Sequence, residues 1–491
     1  MTLQQFPSGL PLGMVLVAVP AWLALEGVDV KTIGFVTLAQ APWTFKFLWS
    51  PLMDRYAPPF LGRKRGWAVL SQLGLLGATL VLAAVATRPD QVWIVAGAAC
   101  LIAFAAASQD IAIDAYAVEV LRSEEQGVAA GARSAVSRFA FFLSGRVVIT
   151  AAKYLSWPVL FALQALLYIP SAVVTALSPE PEDRPLPPRS LREAVWNPFV
   201  GFLRQRHAIE IMLFLVLYKF GDNLASSLVS PFLIQAGYDK VDVGVASGTI
   251  GLVATIAGSI LGGAITSAAG LGPSLWIFGL LQAFSNLGYV AVAQAGVNRP
   301  LMYGAMAVET LTTGMGTGAF SVLLLRLTQK RFSATQYALL SSVFALGRTV
   351  AGPMAGVMVD AMGWTVFFVV TIFAAVPGLL LLQRFVPVGV RDPVFEAEPP
   401  SAGPVPGRGP LALRAAGGFF GGLLTGALCS ALLDAARGLR SGHGFDVLGG
   451  LARLASPSGI EDTFTLLAVL LFAAVCGVGW AALAAARGVK S

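Results

Sequence analysis

Charge is scarce along this chain: Asp, Glu, Lys and Arg make up 12% of its 491 residues, where a soluble domain carries about 25%. That shortage excludes a large soluble globular protein, whose surface is mostly polar and charged. Histidine is scarcer still, with only His207 and His443, and cysteine is limited to Cys100, Cys429 and Cys476. The histidines lie in polar connections and the cysteines in apolar stretches, so no metal site, no resident cofactor and no disulfide framework is expected. The same scarcity argues against a membrane-embedded enzyme, whose chemistry draws on clustered His, Cys, Ser or metal ligands. No cleavable signal peptide is expected either, since the first apolar stretch lacks a basic leader and an A-x-A site, and it reads as a retained helix. The net charge of +7 does not indicate nucleic acid, because the bases concentrate in loops between apolar runs.

What fills the chain instead is apolar: 56% of residues are hydrophobic and the mean hydropathy is +0.75. Runs of about 20 apolar residues are long enough to cross a bilayer. Reading them along the chain predicts an all-α integral membrane protein of about 14 spans. Six spans fill 1–178 and six more fill 209–386. Between them 179–208 opens with SPEPEDRPLPP, which ends a helix, and continues as an amphipathic surface helix. A second connection, 387–411, is rich in Pro, Gly, Ala and Glu and reads as flexible; it leads to an extra helix pair in 412–491. Arg55, Arg63, Lys64, Arg65, Arg122, Arg184, Arg189, Lys330 and Arg331 all fall on one set of loops, which places both termini in the cytoplasm. Arg437, Arg440 and Arg453 fall on the opposite side and are the exception.

Ionisable residues inside spans cost about 2.5–3.5 kcal/mol each on insertion scales, which makes them candidates for function. Asp110 and Asp114 are four apart and share a helix face. Desolvation and like charge suit such a pair to carrying protons, with Lys46 as its partner, and Asp222 and Glu309 are further carriers. Arg138 and Arg348 occupy corresponding helices of the two halves, in SRFAFFLSG and VFALGRTVAG. The plain alternative for all of these is mutual salt bridging between helices.

The loop from Ser50 to Trp67, SPLMDRYAPPFLGRKRGW, resembles the signature loop of the major facilitator superfamily, G-x-x-x-D-R-x-G-R-R/K. Here APPFL is inserted, and Ser50 stands in place of the leading glycine. The resemblance implies two six-helix bundles around a central cavity. It also marks a cytoplasmic gate, for which Asp54, Arg55, Gly62, Arg63, Lys64, Glu119 and Arg348 are the candidates. Asp54 is expected to cap a neighbouring helix or pair with an arginine, and Glu119 to meet Arg55 or Arg63. The second half has no charge in the matching stretch, TSAAGLGPSLW, so any gate there is expected to be one-sided.

Further strings, FPSGLPLG, AWLALEGVDVKTIGF, SQDIAIDAY and SLREAVWNPF, resemble the AmpG muropeptide permease family. That resemblance implies proton-driven import of anhydromuropeptides across the bacterial inner membrane by a monomer surrounded by lipid. Such a large, anionic cargo calls for cations, amides and aromatic platforms, for which Gln40, Trp43, Lys46, Gln109, Arg138 and Lys219 are the candidates. Another cargo, such as an acyl-CoA or an amphipathic drug, and a non-transporting sensor are the alternatives.

Overall fold

The computed structural model describes all residues except 1, 30–32, 34–35, 88–90, 180–186, 189, 396–407, 441–444, 458 and 488–491. Arg184 and Arg189, used above for orientation, and residues 396–407 of the connection 387–411 lie outside the described residues. The elements among the described residues are helices.

The first half comprises α1 (Thr2–Leu25), α2 (37–55), α3 (Arg63–Val85), α4 (Val92–Val120), α5 (Gln126–Ala151) and α6 (Trp157–Ala176). The second half comprises α7 (208–235), α8 (Lys240–Ala269), α9 (Leu271–Ala295), α10 (Arg299–Leu327), α11 (333–362) and α12 (364–385). The chain closes with α13 (Arg408–Arg440) and α14 (Ile460–Arg487). Among the described residues, 11 helices are long and apolar enough to cross a membrane. Several labelled helices are irregular, α2, α7 and α11 among them. Helix α2 carries Pro42 and Pro51 and changes to 3-10 geometry at Lys46–Leu48. Helix α7 breaks between Leu217 and Phe220, and α11 runs into α12 through Gly363 at φ +74°.

Each half has its own apolar core. In the first, Trp22 packs edge-on against Phe161 at 5.9 Å. In the second, Phe232, Tyr289, Trp364 and Phe368 form an aromatic cluster. A third, smaller cluster bridges the halves, setting Met53, Ala68, Ile111 and Ala115 against Ala334 and Ala338 of α11. Many large side chains on the outer faces, such as Leu73, Phe104 and Leu163, are exposed, as expected of helices whose solvent is lipid.

Residues 1–195 and 209–395 form one compact unit. Residues 196–208 and 396–491 form a second. In the second unit α13 and α14 pack through Gly418, Gly422 and Gly426, one per helical turn, with Gly418 against Gly477 and Gly422 against Ala473. Arg453 reaches Asp434 at 3.8 Å, so that base on the unexpected side has a partner.

One expectation is corrected here. The start of the connection 387–411 is held on the second half rather than hanging free. The Arg391 carbonyl accepts from the Gly272 N–H at 2.9 Å, and Asp392 pairs with Arg326 at 2.5 Å. Arg391 also donates to the Ala268 carbonyl. A backbone that answers exposed helix-end groups in this way stays ordered despite its composition.

Candidate functional site

At one end of the helices the signature loop folds into a closed charge cluster. Gly62, at φ +72°, turns the chain into α3, a conformation that only glycine adopts cheaply. The first turn of α3 then carries Arg63 and Lys64 back towards the end of α2. Lys64 donates to Asp54 at 2.8 Å, and Arg63 to the Asp54 carbonyl at 3.1 Å. Asp54 is fully buried and crosses to the other half: it accepts from the Thr335 N–H at 2.8 Å, the Thr335 hydroxyl at 2.7 Å and the Ala334 N–H at 3.3 Å. It therefore caps α11 from outside that helix, where carboxylates are favoured by free N–H groups and the helix dipole. Glu119, at the end of α4, accepts from the Ser333 hydroxyl at 2.7 Å and pairs with Arg63 at 3.5 Å and Lys64 at 3.6 Å.

The loop's other bases have separate tasks. Arg65 donates to the Ala176 and Ser178 carbonyls at the end of α6. Arg55, expected in the cluster, instead lays its guanidinium over the Tyr56 ring at 5.4 Å and makes no ion pair among the described residues. The reason is helical phase: on α2 Arg55 projects about 100° away from Asp54.

Between the halves lies a cavity of about 430 Å³. Its polar lining includes Gln5 of α1, Asp114 of α4, Arg133, Ser134, Ser137 and Arg138 of α5, Ser321 of α10, and Tyr337 and Arg348 of α11. Leu12, Leu16 and Phe141 supply apolar wall. Asp114 pairs with Arg133 at 2.6 Å, with Lys46 further off at 4.0 Å, and Gln5 holds Arg133 at 3.0 Å. Asp110 stands one turn deeper, about 6 Å along the axis, where Oδ1 is buried without a hydrogen-bond partner. Arg348, expected at the gate, lies on this cavity; thirteen residues separate it from Thr335, about 20 Å of helix.

A second polar cluster fills the other half. Lys219, at the break in α7, donates to Thr317 at 3.0 Å and to the Thr313 carbonyl at 3.3 Å, and lies 3.7 Å from Asp222. The Thr313 hydroxyl lies 3.0 Å from Asp222 and 3.4 Å from Glu309, which also accepts from Tyr289 at 3.2 Å. One hydroxyl has one proton and cannot donate to both acids. With a proton on Glu309 the chain is satisfied, Glu309 donating to Thr313 and Thr313 to Asp222.

The remaining expected residues are placed as follows. Gln109 is fully buried and donates to Ser8, tying α4 to α1. Gln40 is exposed, and Trp43 packs half-buried on the first core. Among the six expected cargo residues it is Arg138 that lines the cavity. Arg133, Tyr337, Thr313, Ser333 and Thr335 were missed. The rule that singled out charges in spans also covers Arg133, and Ser333 and Thr335 open a helix in the manner of cap residues.

The geometry agrees with comparisons to known proteins. Residues 1–352 match the family model of the Major Facilitator Superfamily. An anhydromuropeptide permease of Escherichia coli K12 is 44% identical over 379 residues, 77% of each chain. The chain belongs to the AmpG-like permeases of the Major Facilitator Superfamily. A Rickettsia conorii transporter named AmpG 4 is 28% identical over 392 residues, 77% of this chain and 93% of that one. Among solved structures, the Escherichia coli fucose:proton symporter superposes with a TM-score of 0.61 at 11% identity, covering 78% of this chain and 97% of that one. The proton:xylose symporter XylE gives 0.63 at 13%, covering 80% and 96%. At such identities the likeness speaks for the fold. This permease is thus a multi-pass membrane transport protein.

Proposed function

We propose that this permease imports anhydromuropeptides from the periplasm to the cytoplasm, across the bacterial inner membrane, together with protons. The observation that carries the cargo is the 44% identity to the Escherichia coli anhydromuropeptide permease. The lined cavity between the halves suits a large polar anion, with Arg138 and the hydroxyls facing it.

The proton carriers are Asp110 and the Asp222–Glu309 pair. Asp114 is already held by Arg133, whereas Asp110 has a buried oxygen without a partner, and Lys46 lies 4.0 Å from Asp114. The Asp54 cluster is the cytoplasmic gate, closed in the described conformation, because the positive-inside pattern assigns its loop to the cytoplasm along with both termini. The 11 apolar helices together with α2, α7 and α11 make fourteen spans, α13 and α14 included. The protein works as a monomer.

The test is uptake of labelled anhydromuropeptide into proteoliposomes under an imposed pH gradient. The wild type concentrates the cargo. Asp110→Asn and Glu309→Gln, fixed in the neutral form, exchange cargo across the membrane but no longer concentrate it. Failure of the wild type to take up the compound removes the reading; accumulation by both variants removes the carrier assignment alone.

A further inference from the structure

Resting on the reading of the cargo as a sugar bearing an acidic peptide, we propose that Arg138 and Arg348 form a two-guanidinium clamp for two carboxylates of that peptide, selecting dianionic cargo. The two arginines come from α5 and α11, one from each half, and line the same cavity. Both are exposed to it, and among the described residues neither makes an ion pair. The acid beside them is taken: Asp114 pairs with Arg133 at 2.6 Å and faces Lys46 at 4.0 Å. The lining therefore holds Arg133, Arg138 and Arg348 against Asp114, a surplus of two positive charges.

Two guanidiniums facing one low-dielectric space repel each other unless an anion joins them. A guanidinium presents a planar fork that meets a carboxylate through two parallel hydrogen bonds, which a lysine cannot do. A cargo with two carboxylates grips both halves at once, whereas one with a single carboxylate grips only one. The clamp thus reads charge number, and bridging the halves is what converts that reading into a change of their relative position. Phe141 and Leu16 beside the arginines exclude a purely polar contact, so the cargo's apolar portions have a wall to lie on.

The full-length protein in detergent is titrated with an anhydromuropeptide tetrapeptide and with the same compound amidated at its peptide carboxylates. The wild type prefers the free acid by about tenfold or more, as charge-assisted hydrogen bonds allow. Arg138→Gln and Arg348→Gln each bring the preference below about threefold, while keeping the wild type's elution profile and melting temperature in detergent without cargo, which shows that they are folded. Lysine at either position restores part of the preference. A wild type that binds acid and amide alike, or a preference that survives both glutamine substitutions, overturns the clamp and leaves the cargo reading standing. If the wild type binds neither compound, the cargo reading falls and glutarate decides the clamp. Thermal stabilisation by glutarate that is lost in the doubly substituted protein upholds it, and equal stabilisation of both proteins overturns it.

Discussion

Two seams join the halves at the end of the Asp54 cluster, and they are closed by different physics. Across α2 and α11 the contact is electrostatic: a fully buried carboxylate caps a helix of the other half and is neutralised by Lys64. Across α5 and α8 the contact is steric, with Gly127 and Gly131 set against Ser259 and Gly263 so closely that their backbones touch. Ser267 completes that seam by accepting from the Val128 N–H at 3.1 Å, a neutral counterpart of the cap that Asp54 makes. The charge missing from the turn after α8 is supplied from elsewhere in the chain. Arg391 and Asp392, beyond α12, pack on that turn, and Asp392 pairs with Arg326. One seam can thus be opened by a change of charge, while the other resists everything except a change of volume.

Substitutions that exchange these weaknesses test the comparison. The largest effect is expected from Gly131→Val. A side chain there meets the Ser259 carbonyl and the Gly263 Cα, at 3.1 Å, with backbone on both sides and no room to yield. The α5–α8 seam then stays apart, transport falls by more than about tenfold, and cysteines placed behind the seam become open to labelling from that end. Wild-type labelling in this variant would show that the seam tolerates volume after all.

Asp54→Asn is expected to act next most strongly. It leaves Lys64 buried with a reduced counter-charge, and breaking a buried pair costs about 3–5 kcal/mol. Because the contact exists only when the seam is closed, the cost appears as a shift towards the open state. Labelling behind α2–α11 should rise while that behind α5–α8 rises only in step. The double substitution Asp54→Asn with Lys64→Met should recover part of the closure, since no unpaired charge remains. Equal labelling in wild type and Asp54→Asn would remove the electrostatic account.

The smallest effect belongs to Asp392→Asn. Partial burial pushes the Asp392 carboxyl up, but the Arg326 hydrogen bond, the Leu271 N–H and the charges of Arg326 and Arg391 together hold it below the ordinary value. A depressed value means that the contact contributes above the unfolded-state pKa and is lost as pH falls through the folded one. At neutral pH the pairing is therefore fully present. Its carboxylate is half-exposed, so screening limits its worth to about 0–1 kcal/mol. Transport by Asp392→Asn should stay within about twofold of wild type, with the small difference vanishing in high salt. A large loss would mean that the second seam depends on charge as the first does.

Much of the site was legible because membrane insertion makes each buried charge conspicuous. Asp54, Lys64 and Glu119 stood out instead through the resemblance of the loop to the signature motif, and they meet in one cluster. Asp110, Asp222, Glu309 and Lys219 stood out as charges inside spans, and the last three share Thr313 as a neighbour. What stayed hidden was pairing. Nothing in the spacing of Asp114 indicates that Arg133, rather than Lys46, is its near partner, because both bases lie on other helices remote in the chain. Arg348 was read as a gate residue, although its echo of Arg138 in the other half places the two at matching positions. Gln109 read as a cargo contact, yet its amide is spent on Ser8.

The sequence by itself determined the class of this protein. Apolar runs of bilayer length, sparse charge and basic loops leave helices as the way to satisfy every backbone group in lipid, and the motif strings carry the family. Only the tertiary structure decided which charges are neutralised and which are left for a ligand. Pairing depends on distances between helices that are remote in the chain, and it separates Arg133, matched by Asp114, from Arg138, five residues later and unmatched. It also brought Arg391 and Asp392 onto the turn after α8, since the helix ends there expose N–H and carbonyl groups that a passing backbone can answer.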